Sequence, residues 1–260
     1  MSINTSLNNG SNVGNGASLD KGSHLNLPDK YKLLSGAQLK YIAFASMLID
    51  HVNKALLYPN LDGGVLNRVS DIMDILGRIA FPIFVFLMVE GLFKTRNRWR
   101  YLGTMLLFGV ISEVPFDMFT TATFFDKNWN NIMFSLALAM ATLWIVDELK
   151  ARMNGMPVAL WYAASFVVVG AMCLVAMNLG LDYDQYTILV AYFYYIFWDR
   201  PVIAVVLSAL ILFKTPWAVL GFALTLTYNG KRGKQYKIPN YLFYPVHMLI
   251  LGIIRMRLGI

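Results

Sequence analysis

Cysteine is all but missing: Cys173 is the single one in 260 residues. A disulfide framework is thereby excluded, and one thiol in an apolar run does not reveal the redox compartment. Charge is scarce as well. Asp, Glu, Lys and Arg make up 14% of the chain, against about 25% in soluble domains, too little to clothe a water-facing surface. Three histidines and one cysteine form no tight ligand cluster, so no metal is expected. No internal repeat is visible. The first 32 residues are polar, rich in Asn, Ser and Gly, and have no apolar stretch of the kind a cleavable signal peptide needs.

What is present is apolar. Hydrophobic residues are 57% of the chain and the mean hydropathy is +0.53. The expected fold class is all-α, a polytopic transmembrane helix bundle. About nine apolar segments are expected, near 37–57, 79–93, 101–119, 132–146, 157–177, 186–198, 202–213, 217–228 and 241–254. Several fall below the roughly 17 residues a crossing needs, so tilted or re-entrant pieces are allowed. Residues 1–34 read as a disordered cytoplasmic tail and 35–260 as one integral membrane domain.

The net charge of +7 is no sign of nucleic-acid binding, because the basic residues gather between apolar segments. With nine spans and the N-terminus inside, fourteen basic residues fall on the inner side and seven on the outer, with Lys40 inside a span. That bias places the protein in the cell membrane with a cytoplasmic N-terminus.

The stretch QLKYIAFASMLIDHVN, residues 38–53, reads as a membrane helix that nevertheless holds Lys40, Asp50 and His51. Ionisable groups in hydrocarbon are expensive and point to function. Lys40 and His51 are eleven residues apart, hence on one helix face and separated by roughly 16 Å. A cation near one surface and an imidazole deeper in suit an anionic ligand entering from one side and a proton transfer further along. Snorkelling of Lys40 and capping by His51 would be the plainer roles.

Further ionisable groups follow. Arg78 and Glu90 bracket the second segment, too far apart to pair within it, and Pro82 should bend or open that helix early. KTRNRWR, residues 94–100, packs Lys94, Arg96, Arg98 and Arg100 into a short basic connection, a topology signal or a phosphate clamp. Ser112 and Glu113 precede Pro115 and Asp117. Glu113 either orients an imidazole or pairs with a base such as Arg78. Asn131 opens the next segment as a helix cap or as a substrate contact. Tyr244 and His247 enter the last apolar run.

Taken in order, LKYIAFASMLIDH, GRIAFPIFVFLMVEG, the 95–101 connection, FGVISEVPFD, YNGKRGK and YLFYPVHMLIL resemble the TraX family, across residues 39–251. These are integral membrane proteins associated with N-terminal acetylation of conjugative pilin. The Lys40-x10-His51 spacing is also similar to that of acyltransferase-3 type membrane enzymes, where a histidine is the base and the acyl-coenzyme A donor lies on the cytoplasmic side. Alternating arginines stand here in place of that group's Arg-x-x-Arg pair. Thr104 replaces a basic residue common in TraX proteins, and Asp184 a glycine.

The resemblance implies an integral membrane acetyltransferase using acetyl-CoA as co-substrate. His51, Glu113, Lys40 and Asp50 are the expected catalytic residues. Lys40, Arg78, Arg96, Arg98, Arg100, Tyr244 and His247 are expected to contact the donor, and Glu90, Ser112 and Asn131 the acceptor. The partners implied are the lipid bilayer and a pilin or another envelope acceptor, protein or glycan. Intramembrane Lys, Asp, His and Glu also build proton relays, which leaves a transporter or non-enzymatic assembly protein as the rival class. That class often shows half-to-half similarity, and none is seen.

Overall fold

A computed structural model describes residues 28–61 and 63–259. Ten α-helices account for most of them: α1 (Gly36–Val52), α2 (Val65–Gly77), α3 (Ala80–Lys94), α4 (Arg98–Thr120), α5 (Ile132–Arg152), α6 (Val158–Asn178), α7 (Asp184–Ile196), α8 (Pro201–Ile211), α9 (Ala218–Thr225) and α10 (Lys237–Leu258). Among the described residues there is no β-strand, only two isolated bridges. The all-α expectation therefore holds. The proposed tail lies outside the described residues up to residue 27. Leu33 and Leu34 donate their N–H groups to the Thr227 carbonyl at 2.8 and 2.9 Å, so the packed body includes them.

Among the described residues, five stretches are long and apolar enough to cross a bilayer: 65–94, α4, α5, α6 and α10. The protein is thus a membrane protein. The shorter α7, α8 and α9 rise only about 20, 17 and 12 Å at 1.5 Å per residue, less than a hydrocarbon core of about 30 Å.

Contacts between helix ends show that successive segments run in alternate directions. Gly36 meets Glu90, Arg98 pairs with Asp147, and Lys94 bonds the Tyr228 hydroxyl. These define one end, here the near end. Asn53 bonds the Ser70 carbonyl, Asn131 bonds Glu113, and Arg255 donates to the Phe119 and Thr120 carbonyls. These define the far end. α1 and α10 both run from near to far, side by side.

Local sequence explains the boundaries. Ser35 and Gln38 form a reciprocal capping box at the start of α1, which satisfies two otherwise orphaned donors. Asn97 caps α4 and Asn131 caps α5. Helices α2 and α3 are one chain of helix broken at residues 78–79. Pro82 has no N–H to give the Arg78 carbonyl one turn back, so the expected opening lies just before that proline.

Lipid tails are as apolar as leucine, so helices in a bilayer are held by close packing and cross-helix hydrogen bonds. Both are present. Tyr194 bonds Thr225 at 2.9 Å, Tyr192 bonds Ser165 at 2.6 Å, and the Tyr195 hydroxyl donates to Asp147 at 2.6 Å. Each such bond contributes about 0.6 kcal/mol. Gly77 lets α2 press against α1: a Cβ there would sit 2.5 Å from the Asp50 carboxylate.

Candidate functional site

A cavity of about 610 Å³ opens among the far-end connections. The C-terminal turns of α1 give it Asp50, His51 and Lys54. The break between α2 and α3 gives Arg78 and Phe81, and the 180–184 connection gives Asp182 and Tyr183. Lys214 stands on the α8–α9 connection, and Tyr244 and Met248 come from α10. Ligand sites of this size, apolar with a few convergent polar groups, are the usual pattern.

His51 is held by a second histidine. Its Nδ1 lies 2.8 Å from Nε2 of His247, and the two rings are nearly parallel, 8° apart. The protons can be assigned from the partners. His247 Nδ1 faces the Phe243 carbonyl at 2.5 Å, and a carbonyl only accepts, so that nitrogen carries the hydrogen. In a neutral His247, Nε2 is then the acceptor, and His51 Nδ1 must be the donor. What remains is His51 Nε2, an unprotonated nitrogen with no hydrogen-bond partner among the described residues, on a side chain that lines the cavity. The ring is clamped further by Phe119, at a centroid distance of 4.9 Å.

Charged groups around it are partly matched. Lys54 Nζ bonds Asp50 Oδ2 at 2.7 Å. Asp50 is 8% exposed, and its other oxygen, Oδ1, is buried without a partner. Arg78 pairs with Asp74, one turn earlier in α2. On the 180–184 connection, desolvation pushes the Asp182 carboxyl up to about 6, with the nearby Lys54 charge opposing the shift. Tyr183 stacks flat on Phe81 with centroids 3.9 Å apart. Tyr183 and Asp184 adopt φ of 59° and 41°, a region that favours glycine.

The residues singled out in the sequence divide between the two ends. Asp50, His51, Arg78 and Tyr244 line the cavity, and His247 backs it through His51. His247, expected at the donor end, sits about 15 Å into α10, which brings it level with His51. Glu113 does not orient the imidazole: it takes a hydrogen bond from Asn131, whose side chain also caps α5. Ser112 is fully buried, and its hydroxyl has no hydrogen-bond partner among the described residues.

Lys40 and Glu90 lie at the near end. Lys40 Nζ donates to Gln235 Oε1 at 2.9 Å, and Glu90 accepts from Lys94 at 2.5 Å. Arg96 and Arg100 are exposed there, while Arg98 is taken up by Asp147 and Glu148. Between Lys40 and His51, Phe44 stacks on Phe243 with centroids 4.4 Å apart and meets Phe84 at 5.8 Å. Of these three rings, Phe84 reaches the cavity wall. Among described residues no three His, Cys, Asp or Glu side chains gather as a metal site would require.

Lys54, Asp182 and Lys214 also line the cavity and carry no local sequence signal for a site. Only the gathering of three separate connections at one end makes them neighbours.

Residues 35–255 match the family described as TraX protein. The chain belongs to the TraX family. The matched region starts at Ser35, the cap of α1, and ends at Arg255, which ties α10 to α4. Every residue of the His51 cavity thus falls within the TraX region. The chain is also 30% identical over 245 residues to a probable fimbrial assembly protein FimC, serogroup H1, of Dichelobacter nodosus, with 84% of this chain and 94% of that protein covered. No solved structure matches.

Proposed function

We propose that this TraX-family protein is a multi-pass membrane acetyltransferase that moves an acetyl group from acetyl-CoA to an acceptor of pilus or fimbria assembly, with the N-terminal amine of pilin as the preferred acceptor. The observation that carries the reading is the His51–His247 pair. A hydrogen-bonded second histidine fixes the His51 tautomer and leaves an unprotonated Nε2 on a side chain that lines a substrate-sized cavity. A neutral imidazole held in one tautomer is the commonest kind of general base. Membership in the TraX family and likeness to a fimbrial assembly protein support the pilus context.

In this mechanism the acceptor amine attacks the thioester carbonyl. A nitrogen–carbon bond forms as the carbon–sulfur bond breaks. The proton leaving the amine goes to His51 Nε2, and the departing thiolate of coenzyme A takes it back. The imidazolium keeps its Nδ1–H on neutral His247 throughout, so the ring need not turn. Asp50 lines the same cavity, with Oδ2 held by Lys54 and Oδ1 packed against Gly77.

The cavity is suited to the thioester end of the donor. Two of its cations, Lys54 and Arg78, already have carboxylate partners. The near end lies about 16 Å away along α1, about the reach of a pantetheine arm. For the arm to reach His51, the stacked Phe44 and Phe243 rings, which stand outside the cavity lining, must part. All nine alternating segments, α2 and α3 counted as one, sit in the bilayer, with the near end cytoplasmic where acetyl-CoA is found.

The test uses the purified full chain in lipid nanodiscs, labelled acetyl-CoA and a peptide carrying the pilin N-terminus. Transfer is expected, and His51→Ala should lower it at least about 100-fold with the protein still folded. Wild-type transfer rates in His51→Ala would overturn the assignment.

A further inference from the structure

The connection YNGKRGKQYK, residues 228–237, is built as a rigid cradle. Its backbone is stitched to the start of α1. Asn229 N–H donates to the Leu34 carbonyl at 2.9 Å. In the other direction, Gly36 and Ala37 donate to the Lys231 and Arg232 carbonyls, each at 2.9 Å. The Asn229 side chain accepts from Lys231 N–H at 3.0 Å, and Lys94 Nζ reaches the Gly230 carbonyl at 3.1 Å. Gly233 has φ of 71°, and a Cβ on it would fall 2.6 Å from Ser35 Oγ. Only glycine fits there.

This framework concentrates positive charge. Lys40 is held by Gln235 from the same connection. Arg232 lies within electrostatic reach of both Lys40 and Glu90. Lys231, Arg232 and Lys234 project exposed. Among the described residues of this cluster, Glu90 is the carboxylate set against the cations Lys40, Lys94, Lys231, Arg232 and Lys234, and it already accepts from Lys94. A topology signal requires charge in a connection and nothing of its shape. Several exposed cations on a pinned backbone concentrate a positive field where an anion can enter.

We infer that the 228–237 connection, with Lys40 at its base, is a binding site for a phosphate-bearing ligand, and that this ligand is the nucleotide end of the acyl donor. The inference rests on the acetyltransferase reading for the identity of the donor. Multiple phosphates on one small molecule match a cluster of separate cations. The distance to His51, about 16 Å along one face of α1, puts the thioester end at the imidazole when the phosphates occupy this cradle. Of the cations expected in this role from the 94–100 connection, Arg98 is engaged by Asp147 and Glu148, while Arg96 and Arg100 stay exposed.

The test measures coenzyme A binding by calorimetry to the full chain in nanodiscs, beside pantetheine, which lacks the phosphates. The triple variant Lys231→Ser, Arg232→Ser, Lys234→Ser removes side chains that make none of the backbone stitches. Its coenzyme A affinity should fall at least about tenfold, with the ratio of kcat/KM for acetyl-CoA over acetyl-pantetheine falling in parallel. Arg232→Gln alone should give part of the loss and serves if the triple variant does not fold. Equal coenzyme A affinity in wild type and variants would overturn the inference. So would a loss confined to retention of phosphatidylglycerol, read by native mass spectrometry, which would make the site one for a lipid headgroup. Cradle-dependent coenzyme A binding without any acetyl transfer would uphold the cradle and defeat the acetyltransferase. Transfer with cradle-independent binding would do the reverse.

Discussion

His51 and His247 stand 196 residues apart in sequence and share one hydrogen bond of 2.8 Å between Nδ1 and Nε2. That bond aligns two parallel helices, α1 and α10, and decides which nitrogen of His51 is free.

If His247 positions rather than reacts, its replacement should lower kcat and spare KM. His247→Leu removes the acceptor, and kcat is expected to drop about 100-fold. His247→Gln supplies an amide oxygen to the same Nδ1–H and should recover a good part of that loss. Steady-state kinetics on both variants check this. Equal loss in the two would mean that the hydrogen bond is not what matters.

Gly77→Ala should loosen the cavity wall. The added Cβ would lie 2.5 Å from Asp50 Oδ1 and Cβ, and overpacking of this kind costs about 1–3 kcal/mol. A lowered melting temperature in detergent is expected, together with reduced transfer because α2 moves off α1. Gly103→Ala, where a Cβ meets nothing within 4 Å, is the control.

Asp184 has φ of 41°, in the left-handed region that favours glycine. Asp184→Gly should relieve about 1 kcal/mol of left-handed strain. In a chain of this size that raises the melting temperature by about 2–4 °C, as a thermal scan would show.

Asp182 gives a pH dependence whose sign can be worked out. Its folded pKa of about 6 lies above the unfolded value of about 3.9. The native state therefore binds the extra proton, and the stabilisation is full below about pH 4 and lost as pH rises through 6. Asp182→Asn should flatten the melting temperature across pH 4–7 and leave the variant more stable than wild type above pH 6.

Much of the architecture was readable because helical periodicity is local. Lys40 and His51 fall on one face by the 3.6-residue turn alone, and the structure gives both of them partners from residues 235–247. Helix α2 was not legible. Arg68, Asp71 and Asp74 interrupt its apolar residues, and it is recognised only as the far-end half of a broken 30-residue segment. Glu113 shows the other limit. A carboxylate at a membrane lip invites pairing with a base, yet Asn131 was its partner, and nothing in the spacing of residues 113 and 131 favours an amide over an imidazole. The His247 contact joins residues near opposite ends of the chain, which no local pattern encodes.

The pairing of the first and last helices also sets an order of events during synthesis. His51 leaves the ribosome 196 residues ahead of His247, which at 5–20 residues per second is a delay of about 10–40 s. Until α10 has been threaded into the bilayer, the imidazole has no neighbour to fix its tautomer, and a product stopped short of residue 247 never acquires one. On the acetyltransferase proposal, the base at His51 therefore stays unfixed in nascent or truncated chains until residue 247 is in place.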